Sequence, residues 1–525
     1  MMKLFNLKHI GCGLLVLGIV GIGLAADKEV DFEIRFLDAE TGRGIPLVLL
    51  TTTHGVTYVS DNAGRIAYYE PGHAGQQVFF SIDAQGYEVP KDGFGIEGIR
   101  LTIQPGKMEG VKLKRINLAE RLYRITGEGL YRDSVQLGHD TPLKNSLGSA
   151  KVVGQDSVQV AEYNGKLHWF WGDTNRLSYP LGLFRTAGAV SAPLNEIDPD
   201  VGIDLEYFTD ENGFARNMID LLEKEGVVWI DGLTTVFDPM LGIFDNVLVA
   251  HYSRRKGLAE QLEHGIAVYN KDRDVFTKAT ELEPSQNWQH LSNHPVIHSV
   301  KDVSLFQYFG TPFLITRVQD RINKVLDPLE YESWTCLSPD SDLRTAQPLR
   351  NESGELDWQW RAAPPVTPQI EARWLKNGTI KPSEAYYSPE DADDPGRRIQ
   401  IHTGSVYYNE FRQRWIMVAS EIDWRKDAPS HLGEVWYSES KDPQGPYTKA
   451  IKILTHNKQS FYNACQHPYF SKEDDRIIYF EGTYTNMFTN SPATPRYNYN
   501  QIMYRLDLSH PRIEEVFGKK SNNNG

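Results

Sequence analysis

The stretch from Ser157 to Asp173 constrains the fold more than any other. It reads SVQVAEY, then Asn164-Gly165, then KLHWFWGD. Both flanks alternate polar and apolar residues, the period of a half-buried strand. Asn-Gly supplies the two left-handed positions of a tight hairpin turn, so the segment predicts an antiparallel hairpin. Comparable units follow at GLTTVF…NVLVAHYS, VSLFQYFGTPFLITR, GSVYYNEFRQRWIMVASE and YFSKEDDRIIYFEG. They recur at roughly 60–90 residues, a spacing at which antiparallel units stack to bury one another's faces. The pattern predicts an all-β fold, with a five-bladed β-propeller over residues 150–510. A β-sandwich or a β-helix is the alternative that the same pattern allows.

Register arithmetic then locates chemistry. In a two-residue hairpin centred on Asn164-Gly165, Asp156 falls opposite Asp173. Like charges opposed in a sheet are destabilising. Such a pair splays into solvent, binds a cation, or shares a site that shifts its pKa values. Centring the fourth unit on Phe411-Arg412 sets His402 opposite Glu421. Centring the fifth on Glu473-Asp474 sets Gln466 opposite Glu481, with His467 adjacent. A turn near Phe309-Gly310 brings Asp302 opposite Arg317, and in the second unit Asp231 lies near Tyr252. If the units are blades, these mouths converge on one concavity, the usual setting of a small-molecule or sugar site. Paired carboxylates suit glycoside cleavage, one protonating the leaving oxygen while the other serves as base or nucleophile.

The amino terminus carries Lys3 and Lys8, an apolar run from Ile10 to Leu24, and Ala25-Ala26. This is the layout of a secretory signal, residues 1–26; an uncleaved membrane anchor is the alternative. Removing it takes two lysines away, leaving 53 basic against 69 acidic residues and moving the formal charge from -14 to -16. So acidic a chain is a poor partner for nucleic acid. Cys336 and Cys465 remain, too few for a disulfide framework and in no metal-binding spacing. No further stretch has transmembrane length. The mature protein is expected to be secreted or periplasmic, without a cofactor; a divalent cation such as calcium is compatible with the sequence, but no spacing requires one. Oligomeric state is not legible.

Residues 27–117 read as a small all-β module, followed by a linker at 118–149; residues 511–525 read as a disordered tail. The motifs DAETGRGIP, SDNAGRI and QGYE resemble the carboxypeptidase-regulatory-like, transthyretin-type β-sandwich, which implies an accessory module. GQDSVQV…LHWFWGDT, from Gly154 to Thr174, resembles the opening blade of secreted bacterial propellers similar to glycoside hydrolases, among them D-arabinan-cleaving enzymes. That resemblance implies active-site roles for Asp156 and Asp173. GEVWYSESKDPQGPY (Gly433 to Tyr447) is similar to the blade motif of arabinofuranosidase- and xylosidase-type five-bladed enzymes. YFEGTYT (Tyr479 to Thr485) resembles their Glu-Gly segment, implying Glu481 as the acid. Where that group carries a third-blade glutamate, this chain offers Asp302 and Arg317.

The expectation is an exported glycoside hydrolase acting on a carbohydrate. Asp156 would be base or nucleophile, Asp173 its orienting neighbour, and Glu481 the general acid with Glu421 in reserve. Asp231, Arg317, His402, Gln466 and His467 would line the sugar site. A polysaccharide lyase, with His402 or a tyrosine as base and Arg317 neutralising a uronate, is the second reading. A non-catalytic glycan- or protein-binding propeller is the third. Trp358, Trp360 and Trp374, in the long insertion 340–398, are candidates either for stacking on sugar or for capping the core.

Overall fold

The computed structural model describes residues 30–183, 185–221, 225–240, 242, 245–300 and 304–519. The signal segment and Asp302 lie outside the described residues. The protein is all-β, with a few short helices.

The first unit arises from alternation. Phe32–Asp38 buries Phe32, Ile34 and Phe36, and every second side chain of a strand shares a face. Two four-stranded sheets result. One joins Arg65–Tyr68, Phe32–Asp38, Met108–Arg115 and Tyr87–Glu88; the other joins Thr57–Val59, Leu49–Thr52, Gln77–Asp83 and Gly98–Thr102. Their inner faces share one core around Ile34, Phe36, Ile66, Phe80, Ile82 and Leu113. Gly64, at φ +74°, closes the turn of SDNAGRI. A Cβ there would sit 2.5 Å from the carbonyl oxygen of Phe36, so no other residue fits.

A three-stranded sheet of Val152–Gln155, Thr174–Arg176 and Tyr179–Leu183 and five larger, mainly antiparallel sheets follow, the five in chain order. Sheet I runs Gln159–Tyr163, Lys166–Trp171, Ala187–Val190, Glu206–Tyr207. Sheet II runs Val227–Phe237, Asn246–Lys256, Glu260–Asn270, Val275–Leu282. Sheet III comprises Val296–Val300, Ser304–Phe309, Thr316–Gln319, Glu332–Thr335 and Gln359–Arg361. Sheet IV comprises Ile401–Asn409, Arg414–Glu421, Val435–Ser440 and Lys449–Leu454, with Glu390–Asp391 at its edge. Sheet V begins with Ser460–Gln466, Ile477–Thr485 and Asn500–Asp507.

Its fourth strand comes from before sheet I. Glu120–Arg124 pairs with Asn500–Asp507, setting Tyr123 beside Met503. The expected linker at 118–149 is therefore corrected at its start: all five residues of that strand are buried, because it is covered on both faces. Over its described residues, 511–519, the expected tail is corrected as well. Pro511–Phe517 is a helix whose Ile513 is fully buried, with Val516 and Phe517 packed on the core beside sheets IV and V.

Each sheet packs on the next. Phe170 meets Val228 and Phe276 between I and II; Val249 meets Phe309 and Val318 between II and III. Tyr308 and Phe313 join Val406 and Trp415 between III and IV, and Val418 joins Phe461 and Phe480 between IV and V. Trp169 packs with Leu122, Cys465 and Tyr479 between I and V. The five sheets thus form a closed sequence of interfaces. The insertion tryptophans belong to this packing: Trp374 is buried, and Trp358 and Trp360 press on the core between III and IV.

Hydrogen bonds trace the same ring along, or just before, the first strands. Gln159 Nε2 donates to Asp231 Oδ1 at 3.2 Å, and the Asn293 backbone N–H donates to the same oxygen at 3.0 Å. Asn293 Nδ2 donates to the Gly404 carbonyl; the Asn463 N–H donates to Thr403 Oγ1 at 3.1 Å. Asn463 Nδ2 returns to Ser157 Oγ at 2.6 Å.

Candidate active site

Left-handed backbone recurs along this ring of contacts. Ser157, Gly232, Asn293 and Asn463 all adopt left-handed conformations, at φ +56°, +62°, +53° and +54°. Register shifts fall beside them, between Asp231 and Thr234, between Ile401 and Gly404, and between Tyr462 and Cys465. Bulges re-aim side chains, and strained backbone concentrates at functional sites. Here they turn side chains of sheets I, II and V, with the lead-in to III, toward one cavity of about 300 Å³. It is lined by Asp156, Gln159, Asp173, Trp229, Asp231, Asn293, His294 and Asn463, with Leu258 at its rim. A larger groove of about 460 Å³ flanks the turn at Asn164, but its polar residues, such as Glu162, Asp245 and Asp272, are exposed.

Three carboxylates meet in the cavity, each open to solvent on one side and enclosed by protein elsewhere. Asp156 Oδ1 accepts the Asp173 backbone N–H at 3.0 Å, and Oδ2 accepts the Tyr462 hydroxyl at 3.0 Å. The hydroxyls of Tyr499 and Ser157 also bond to it. Burial pushes its pKa up, and these donors hold it down. Gly172 makes this possible, since a Cβ there would lie 2.5 Å from Asp156 Oδ1. Asp173 is pushed up to about 6, first by burial and then by the Asp156 charge; the Trp229 indole, donating to Oδ1 at 2.8 Å, opposes the shift. Among the described residues, Asp173 Oδ2 has no partner. Asp231 is raised by burial and restrained by the N–H groups of Asn293 and Gly232. His294, with Nδ1 3.5 Å from Cys465 Sγ, is driven to about 3 by burial and is neutral.

The structure brings Asp156, Asp173 and Asp231 together and leaves the other expected residues outside the cavity. Glu481 pairs with Cys465 and Gln466 with Phe480, one residue away from the expected register. Glu481 is completely buried, its Oε1 2.7 Å from His467 Nε2, so it cannot meet a ligand as an acid. Gln466 is equally enclosed, donating to the Ser405 carbonyl at 2.9 Å. Glu421 pairs with Ile401, because the bulge displaces His402. It is bound by Arg397 and by Trp436 Nε1 at 2.9 Å. His402 is half-buried, 3.1 Å from Thr403 Oγ1. Arg317 pairs with Tyr308; its expected partner, Asp302, lies outside the described residues. Its guanidinium bonds Glu332 at 2.8 Å and lies 4.2 Å from the Trp360 ring centre.

Sequence reasoning missed Trp229, Tyr462, Tyr499, Asn293 and Asn463. A signal existed for the two asparagines, which tolerate left-handed backbone better than most residues and stand in or before strand-like runs.

No family model matches the chain, and no curated protein does. Among solved structures, one from Bacteroides ovatus ATCC 8483 is 13% identical, covering 72% of this chain and 89% of that one, with a TM-score of 0.42. An α-L-arabinanase of Cellvibrio cellulosa is 10% identical over 66% and 90%, with a TM-score of 0.31. A GH43_1 enzyme from Xanthomonas citri is 10% identical over 69% and 90%, with a TM-score of 0.32. Likeness at this level carries no argument about fold or chemistry. Among the described residues, no helix is long and apolar enough to cross a membrane.

Proposed function

We propose that the protein is an exported glycoside hydrolase, its five sheets the blades of a propeller and its first two sheets a transthyretin-type accessory sandwich. One observation carries the reading. Asp173, raised to about 6, stands beside Asp156, whose carboxylate is held by four donors. Burial raises both, but Asp156 has four donors favouring its charge where Asp173 has one, an asymmetry that suits acid/base cleavage of a glycosidic bond.

Asp173 replaces Glu481 as the proton donor to the leaving oxygen, through its unengaged Oδ2. Asp156 is the ionised partner, base or nucleophile, kept in one orientation by Tyr462 and the Asp173 N–H. Asp231 and Asn463 meet sugar hydroxyls. The lyase reading loses its cation: no lysine or arginine is among the residues lining the cavity, and Arg317 is held by Glu332. The test is incubation of the mature protein with a panel of polysaccharides and analysis of the products. Hydrolysis abolished by both Asp156→Asn and Asp173→Asn is expected. Unsaturated products, or hydrolysis that survives both changes, would overturn the assignment.

A further inference from the structure

Beside the cavity, on sheet II, three histidines converge that the proposed chemistry does not use. His251 stands opposite Asp231 on the neighbouring strand. His264 is on the next strand, and His290 is on the segment that leads to Asn293 and His294. One ring nitrogen from each lies within 4.8 Å of the other two. His251 Nε2 is 3.1 Å from His264 Nδ1, and the rings of His251 and His290 stack at 3.7 Å.

The outer hydrogen bonds set the tautomers. His264 Nε2 lies 3.0 Å from the Glu283 carbonyl, and His290 Nδ1 lies 2.8 Å from the Leu291 carbonyl. A carbonyl only accepts, so each of these nitrogens carries the proton. That leaves lone pairs on His264 Nδ1 and His290 Nε2. Carbonyl-anchored imidazoles with the opposite nitrogen free are the usual outer arrangement of metal-bound histidine. Bonds of about 2.0–2.1 Å to a tetrahedral ion place its ligands about 3.3 Å apart. The His251–His264 separation already matches. Because the His251 and His290 rings lie face to face, 13° from parallel, one of them must rotate out of the stack for both to aim a nitrogen at one ion, and His290 is the half-buried member of the three.

We propose that His251, His264 and His290 form a binding site for a divalent d-block cation of the zinc class. Three imidazoles without a carboxylate suit such an ion rather than calcium or magnesium. Coordination turns His251 to the tautomer protonated on Nδ1 and leaves a fourth position for water. The ion would clasp two strands of sheet II to the 283–294 segment and so fix the approach of Asn293 to Asp231. The site is independent of the glycosidase reading.

The test uses the full mature chain, stripped with a chelator and titrated with zinc by calorimetry and with cobalt by absorption spectroscopy. One ion per chain is expected, with the visible bands of a nitrogen-ligated tetrahedral or five-coordinate cobalt. His290→Gln, at the half-buried position, should lower affinity at least tenfold while the far-ultraviolet dichroism stays unchanged; His264→Gln should do the same if it folds. Absence of uptake by the wild-type chain, octahedral cobalt bands, or affinity unchanged in His290→Gln would each overturn the proposal. The last would show that the three rings form only a hydrogen-bonded stack.

Discussion

Replacing Trp229 with Phe tests the acid assignment most directly. The substitution keeps the ring and removes the N–H that reaches Asp173 Oδ1 at 2.8 Å. That bond favours the ionised carboxylate, so its loss favours the protonated form and raises the pKa. A hydrogen bond to a charged group contributes about 1.5–3 kcal/mol. At 1.36 kcal/mol per unit, the ceiling is about 1–2 units. The cavity opens to water, which replaces part of the lost donor, so a rise of about one unit is expected. A proton donor must hold its proton, and Asp173 loses it at about 6. The alkaline limb of kcat/KM should therefore stand near pH 6 in the wild type and about one unit higher in Trp229→Phe. Carboxyl-carbon NMR, which needs no substrate, should show the same displacement in the titration of one aspartate. A limb that stays in place or moves down in the variant would refute the reasoning.

Asp173→Asn should trade activity for stability. The folded pKa of about 6 exceeds the ordinary 3.8, so the wild type loses stability as pH rises from 3.8 through 6. The ceiling is about 3 kcal/mol, discounted to about 1–2 for water access. Calorimetry should find the variant melting higher at pH 7.5, with the difference vanishing near pH 4. Gly172→Ala places a methyl 2.5 Å from Asp156 Oδ1 and should cut hydrolysis on the order of 100-fold through misplacement alone, with an unchanged dichroism spectrum. Arg121 is buried between the first two sheets and sheet V, donating to Gln85 O at 2.6 Å, Pro46 O at 3.1 Å and Tyr504 Oη at 3.1 Å. Arg121→Ala leaves buried acceptors bare at about 1–3 kcal/mol each, and limited proteolysis should release the amino-terminal unit faster.

What was legible in the sequence depended on how tightly a turn constrained its hairpin. Asn164-Gly165 admits one register, and the observed pairs, Gln159 with Phe170 through Tyr163 with Lys166, are those expected; Asp156 and Asp173 are accordingly neighbours. In the fifth unit the turn is a longer connection containing the 3₁₀ turn Pro468–Phe470. A bulge follows Tyr462, and a one-residue slip turns side chains to the other face. Glu481 therefore went inside. In the third unit the first strand is Val296–Val300, upstream of the expected hairpin, which supplies the second and third strands instead. Glu120–Arg124 escaped notice because a strand buried on both faces shows no alternation. The terminal helix did leave a trace: Ile513, Val516 and Phe517 are spaced to share one helical face. The cluster of His251, His264 and His290 left none, since cross-strand proximity has no fixed spacing in sequence.

Charge decides what kind of sugar such a cavity suits. Three aspartates face it without a lysine or arginine among the lining residues. Their ionised forms are balanced by short-range donors: hydroxyls and an N–H on Asp156, an indole on Asp173, amides on Asp231. Those donors are already spent on protein oxygens. A uronate would bring a further negative charge into a poorly screened space with no lining cation to pair it, and unpaired charge is what such a setting tolerates least. A neutral glycan brings hydroxyls, which can donate to the carboxylate oxygens and accept from Asn463 or Gln159. The whole chain, at -14, adds a long-range repulsion against acidic polymers that salt would weaken. The same three acids that make hydrolysis chemically reasonable thus select against the substrate that a lyase would require.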